Sequence, residues 1–139
     1  MDKYDVFAVI NEAKIPCFLA TVDGGVPRVR GMMPYRADEN GIIFHTGVMK
    51  DLHRQLQKNP NVEICLFNHV AGWQVRISGS AELVSDKALK EEIVARRDFL
   101  KPWVAEKGMD ILAVYRIKNA VATFWTMATN FAPREYINL

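Results

Sequence analysis

Residues 42–67 read IIFHTGVMKDLHRQLQKNPNVEICLF, and the changes of period within them decide the fold. "IIFHT" is a short apolar, β-branched and aromatic run of strand character. From Val48 the pattern turns helical: Leu52 and Leu56 are four apart, while Asp51, Arg54, Gln55 and Lys58 fall on other faces. "NPN" (59–61) ends that helix, because a residue before proline is pushed out of the helical region. "VEICLF" then resumes as a strand. The strand-to-helix junction carries His45, Thr46, Gly47 and Lys50. A lysine in the opening turn opposes the helix dipole, which favours an acid there. Either Asp51 offsets the conflict locally, or an anion does, held by first-turn amides, the Thr46 hydroxyl and Lys50.

Upstream, Tyr4, Phe7 and Ile10 recur at helical spacing, and the helix they form ends before Pro16. "CFLATV" (17–22) reads as a strand, "DGG" (23–25) as a hairpin turn and "VPRVRGMMPY" (26–35) as the returning strand. Arg28 and Arg30 are two apart, so both point to one face. Gly31 permits close approach of a ligand to the backbone, and Met32 and Met33 offer pliable apolar contacts. "ADENG" (37–41) is a second turn. Downstream, "WQVRISGSAELV" (73–84) is long enough for a bent strand, with Gly79 at a bulge or close approach. Ser85 or Asp86 caps a helix over 87–100, which Pro102 disturbs and Gly108 closes. "DILAVYRIKN" and "AVATFWTM" read as a terminal hairpin, followed by a tail, "ATNFAPREYINL". Trp103 reads as a packing residue. This order implies one mainly β domain over 1–139, an antiparallel sheet closed as a small β-barrel with accessory helices.

With half of its 139 residues hydrophobic and 24% charged, the chain has the balance of a soluble globular protein. No apolar run approaches the roughly 20 residues that cross a bilayer. The acid-bearing N-terminus does not read as a signal peptide, so no membrane and a cytoplasmic location are expected. A net charge of +2 is too mild to imply nucleic acid. Cys17 and Cys65 lie singly in apolar runs and read as buried reduced thiols. His45, His53 and His69 are scattered without a metal-binding spacing, so no metal is expected. Neither GxxxxGK[ST] nor GxSxG occurs.

Five segments in this order, "PRVRGMMPY", "IIFHT" with a nearby lysine, "LQKNPNVEICLF", "QVRISGSAEL" and "TFWT", resemble the pyridoxamine 5'-phosphate oxidase-like FMN-binding split barrels, over about residues 5–127. The resemblance implies a six-stranded antiparallel Greek-key split barrel, a homodimer, and FMN at the subunit interface. It places Arg28, Val29, Arg30, Gly31 and Met32 on the strand beside the flavin and its phosphate. His45 and Thr46 become a strand-end pair at the cofactor, and Lys50 a phosphate contact. Gln74 is similar to a glutamine at the isoalloxazine edge, and Trp125 to a tryptophan supplied by the partner subunit. The oxidase's terminal arginine- and histidine-bearing motif is absent: Arg134 is the single basic residue of the tail, and no histidine follows His69. The short chain is thus more similar to the small FMN-binding and flavin reductase-like members than to the vitamin B6 oxidase. The expectation is an FMN oxidoreductase or electron carrier acting on a small-molecule redox substrate or electron-transfer partner. No catalytic residue is assignable. The alternatives are a non-catalytic module for a flavin or haem-related ligand, and a deazaflavin-binding relative.

Overall fold

The computed structural model describes residues 1–139. Helix α1 (Lys3–Glu12) leads to strands β1 (Cys17–Asp23), β2 (Val26–Met32), β3 (Arg36–Asp38) and β4 (Gly41–Gly47). Helix α2 (Asp51–Lys58) precedes β5 (Asn61–Asn68) and β6 (Trp73–Leu83). Helices α3 (Lys87–Arg96) and α4 (Lys101–Lys107) come next, then β7 (Leu112–Thr126) and β8 (Ile137–Asn138). All pairings are antiparallel, in the order β2-β1-β5-β6-β7-β4-β3, with β8 added on β7. The mainly β class stands. The strand count is eight against the six implied, and the difference lies in β3 and β8, which have three and two residues.

Asp2 caps α1 by accepting from Tyr4 and Asp5 N–H, and Asp5 reciprocates on the Asp2 N–H. At the other end of α1, Asn11 both donates to Ala37 O and accepts from Ala37 N–H, each at 2.8 Å. That pair satisfies the outer edge of β3, where exposed sheet edges otherwise invite pairing with other chains.

The interior is filled by alternate residues of the long strands. Leu19, Phe44, Ile64, Val75, Ile77 and Ile117 are fully buried, closed off by Val6, Phe7 and Ile10 of α1 and Leu52 and Leu56 of α2. Phe44 stacks on Tyr115 at 5.6 Å; such pairs contribute roughly 0.5–1.5 kcal/mol beyond burial. The Tyr115 hydroxyl completes its bonding with His53 Nδ1 at 2.7 Å. A second cluster, Ile43, Leu112 and Val114 beneath Leu89 and Ile93 of α3, lies on the opposite face of β4 and β7. Cys17 is buried in the core as expected, and burial pushes its thiol up to about 12. Cys65 departs from expectation: it is half-buried, because the register pairs it with Phe18 and Arg76 on the outer face of the sheet.

Three boundaries differ from the sequence reading. The terminal hairpin is instead one 15-residue strand, β7. Asn119, the last residue of the first of those two segments, takes φ 51° and is absorbed in the irregular pairing of β7 with β6 between Ser78 and Ser80. Helix α2 begins at Asp51, not Val48, because Lys50 N–H closes a tight turn onto Gly47 O and Val48 N–H is taken by Ile111 O. Pro102 does not disturb a long third helix. It sits in the first turn of the separate α4, where a missing N–H costs nothing.

Candidate functional site

The antiparallel pairing of β1 and β2 sets Arg30 opposite Leu19 and Arg28 opposite Thr21, so both arginines share the inner face at a sheet edge. Arg30 is half-buried there. Its guanidinium donates to Thr21 Oγ1 at 2.7 Å, Gln55 Oε1 at 2.6 Å and Leu19 O at 3.3 Å. Thr21 in turn donates to Gln55 Oε1 at 2.6 Å, and both side chains are buried. This network holds a charge with neutral oxygens alone. Partial burial draws the Arg30 pKa below its ordinary value, with the Asp51 charge acting the other way. Arg28 is more exposed and lies 3.4 Å from Asp23, which also meets Arg54 at 3.4 Å.

A groove of about 1510 Å³ opens between β1, β2, the start of α2 and the α3–α4 junction. That exceeds the roughly 300–1,000 Å³ usual for a small-molecule pocket. Eight of the ten residues named from the resemblance line it: Arg28, Val29, Arg30, Gly31, Met32, His45, Thr46 and Lys50. His45 and Thr46 point to opposite faces of β4, and Thr46 is buried at the inner wall. Lys50 occupies the cap position of α2 without capping it and forms no ion pair. The conflict with the helix dipole therefore persists, with Asp51 turned to Arg54 at 3.5 Å.

His45 Nε2 lies 2.8 Å from Arg97 Nη1. A guanidinium only donates, so Nε2 accepts and the imidazole proton sits on Nδ1. Burial, then the charges of Arg97 and Lys50, lower the His45 pKa to about 4, which keeps the ring neutral at pH 7. Arg97 also donates to Met33 O at 3.2 Å and Pro34 O at 2.8 Å, and lies over the Tyr35 ring at 5.3 Å. Arg30, Lys50 and Arg97 are thus three groove cations whose hydrogen bonds, where they form them, go to neutral acceptors.

Gln74 and Trp125 do not line the groove. They are paired across β6 and β7 on the outer face, beside Phe67, and the Trp125 indole donates to Asn130. Sequence reasoning missed Gln55, Arg97 and Phe99, whose roles depend on partners far away in the chain. It also misassigned Trp103, which is 58% exposed on the groove wall and not packed.

The fold is thus an all-antiparallel sheet with a cation-lined groove along its edge strand β2. The chain belongs to the pyridoxamine 5'-phosphate oxidase-like split-barrel family, whose pyridoxamine 5'-phosphate oxidase model matches residues 6–126. The pyridoxine/pyridoxamine 5'-phosphate oxidase of Rhizobium meliloti (strain 1021) is 27% identical over 109 residues, which cover 76% of this chain and 53% of the relative. The chain therefore spans about half the length of the curated relatives it matches. Among solved structures, a nimc/nima family protein of Clostridium acetobutylicum superposes with TM-score 0.79 at 23% identity, covering 98% of this chain and 92% of the other. PhzG of Burkholderia lata 383, solved with tetrahydrophenazine-1-carboxylic acid, gives TM-score 0.70 at 16% identity over 99% and 88%. These likenesses show the fold. No helix is long and apolar enough to cross a membrane.

Proposed function

We propose that the chain is a single-domain FMN-binding flavoprotein, an oxidoreductase or electron carrier, which holds its cofactor in this groove at a homodimer interface. One observation carries the reading: Arg30 and Lys50 present charge to the groove with no carboxylate paired to either, beside the buried Thr46 and a pliable apolar lining that includes Val29 and Met32. A phosphate with a flat heterocycle fits that donor set. When bound, the flavin supplies the redox chemistry, exchanging a hydride or single electrons.

The chain's own residues hold and orient. Thr21 and Gln55 fix the Arg30 guanidinium toward the phosphate, and Lys50 and the first amides of α2 complete the anion cradle. Arg28, shared with Asp23, adds a weaker contact at the mouth. Gly31 has open space where a side chain would stand, so a ring can approach the β2 backbone. His45 is a neutral hydrogen-bond donor through Nδ1. Gln74 and Trp125 reach a cofactor only across a second copy, packed through the outer sheet face that carries Phe18 and Phe67, which are 44% and 42% exposed.

The relatives' printed activity is not carried over, since the chain spans about half of their length. The purified protein tests the proposal by its visible spectrum. Twin flavin bands, and mass spectrometry of the released ligand giving FMN, support it. A colourless protein that takes up no added FMN refutes it, and uptake of a deazaflavin alone would transfer the groove to that ligand. Oxidation of NAD(P)H with an electron acceptor then separates enzyme from carrier.

A further inference from the structure

At the α3–α4 end of the groove, Arg97 spends three hydrogen bonds on Met33 O, Pro34 O and His45 Nε2. Of its five N–H groups, the Nε–H and one on Nη2 have no partner. The Nε atoms of Arg36, Arg76 and Arg116 are sealed from solvent, and that of Arg97 is not. Adjacent Nε and Nη2 donors form an edge that takes a carboxylate bidentately. Two large aromatic side chains, Phe99 and Trp103, line the same groove and are 52% and 58% exposed. The Phe99 ring lies 6.2 Å from that of His45, whose Nδ1–H adds a neutral donor. The neighbouring acid, Asp98, is turned to Lys101 at 2.6 Å and does not answer the Arg97 charge.

We propose that this compartment binds the second reactant and is built for a small planar aromatic carboxylate. This rests on the reading of the other end of the groove as the flavin site. A single open guanidinium edge suits a planar monoanion, and the two exposed aromatic faces suit a ring that stacks. A phosphate is better matched by Lys50 and Arg30 at the opposite end.

Titration with 1-naphthoate, followed by its fluorescence, tests the proposal on wild-type protein with and without FMN. The expected result is saturable binding to both forms, at least tenfold tighter than that of the neutral 1-naphthalenemethanol. Trp103→Ala, at an exposed position that the fold does not need, should lose tenfold or more for naphthoate while keeping FMN affinity within threefold. Arg97→Gln should abolish the preference for the carboxylate, and Arg97→Lys should restore part of it. Naphthoate binding in a protein that ignores FMN would leave the compartment standing and remove the flavin reading. FMN binding without naphthoate binding, displacement of naphthoate by FMN, or unchanged affinity in Trp103→Ala would overturn the compartment.

Discussion

Lys50 is the residue that breaks a local rule. At the cap position of α2, a side chain that accepts from the first amides is favoured, and lysine has no acceptor. Lys50→Ser should therefore raise stability by roughly 0.5–1 kcal/mol in denaturant unfolding, while weakening FMN by about 1.5–3 kcal/mol, the size of one charge-assisted hydrogen bond. Tighter FMN binding in that variant would remove Lys50 from the cradle. Arg30 behaves differently because it is structural as well: Arg30→Ala should cost about 1–3 kcal/mol of stability through its lost bonds to Thr21 and Gln55, besides the loss in flavin affinity. His45 adds a pH dependence. Its folded pKa of about 4 lies below the ordinary 6.5, so the folded state resists protonation. Its contribution is complete above pH 6.5, declines as pH falls toward 4, and totals at most about 3 kcal/mol. Unfolding at pH 7 and pH 4.5 should show a smaller acid loss in His45→Gln than in wild type.

At the scale of elements, much was legible where periodicity and punctuation agreed. "QKNPN" ends α2 and starts β5 as read, and the alternation of Arg28 and Arg30 puts both on the inner face of β2. Gly79 was read as a bulge or close approach, and a Cβ there would meet Ile117 Cγ2 at 2.7 Å and Lys118 O at 2.9 Å. Gly79→Ala should accordingly cost about 1–3 kcal/mol in thermal or denaturant unfolding. β7 was read as two strands that part after Asn119, and asparagine tolerates the left-handed region in turns and in strand irregularities alike, so it does not tell the two apart. Asn119→Val should cost about 1–2 kcal/mol, whereas Asn119→Gly should be close to neutral. Arg97 was illegible in the sequence because its partners are backbone carbonyls and a histidine more than 50 residues away.

For the whole molecule, the sheet has two surfaces of different character. The inner edge of β2 and β1 presents cations to the groove, and the outer face carries Phe18, Phe67, Gln74 and Trp125. The two join at β2, where Val29 and Gly31 face outward while also lining the groove. The proposed homodimer through the outer face would carry Trp125 of the partner subunit toward the proposed flavin. Trp125→Ala should then weaken FMN binding or dimerisation more than it lowers the melting temperature. The central claim is that uncompensated cations in this groove exist for a flavin phosphate. Its most direct test is equilibrium titration of the cofactor-free protein with FMN, comparing wild type with the Arg30→Ala, Lys50→Ala double variant. Wild type should saturate at one FMN per chain and the variant should lose at least a hundredfold in affinity; no uptake by wild type, or equal affinity in both, would show that these cations do not serve a flavin phosphate.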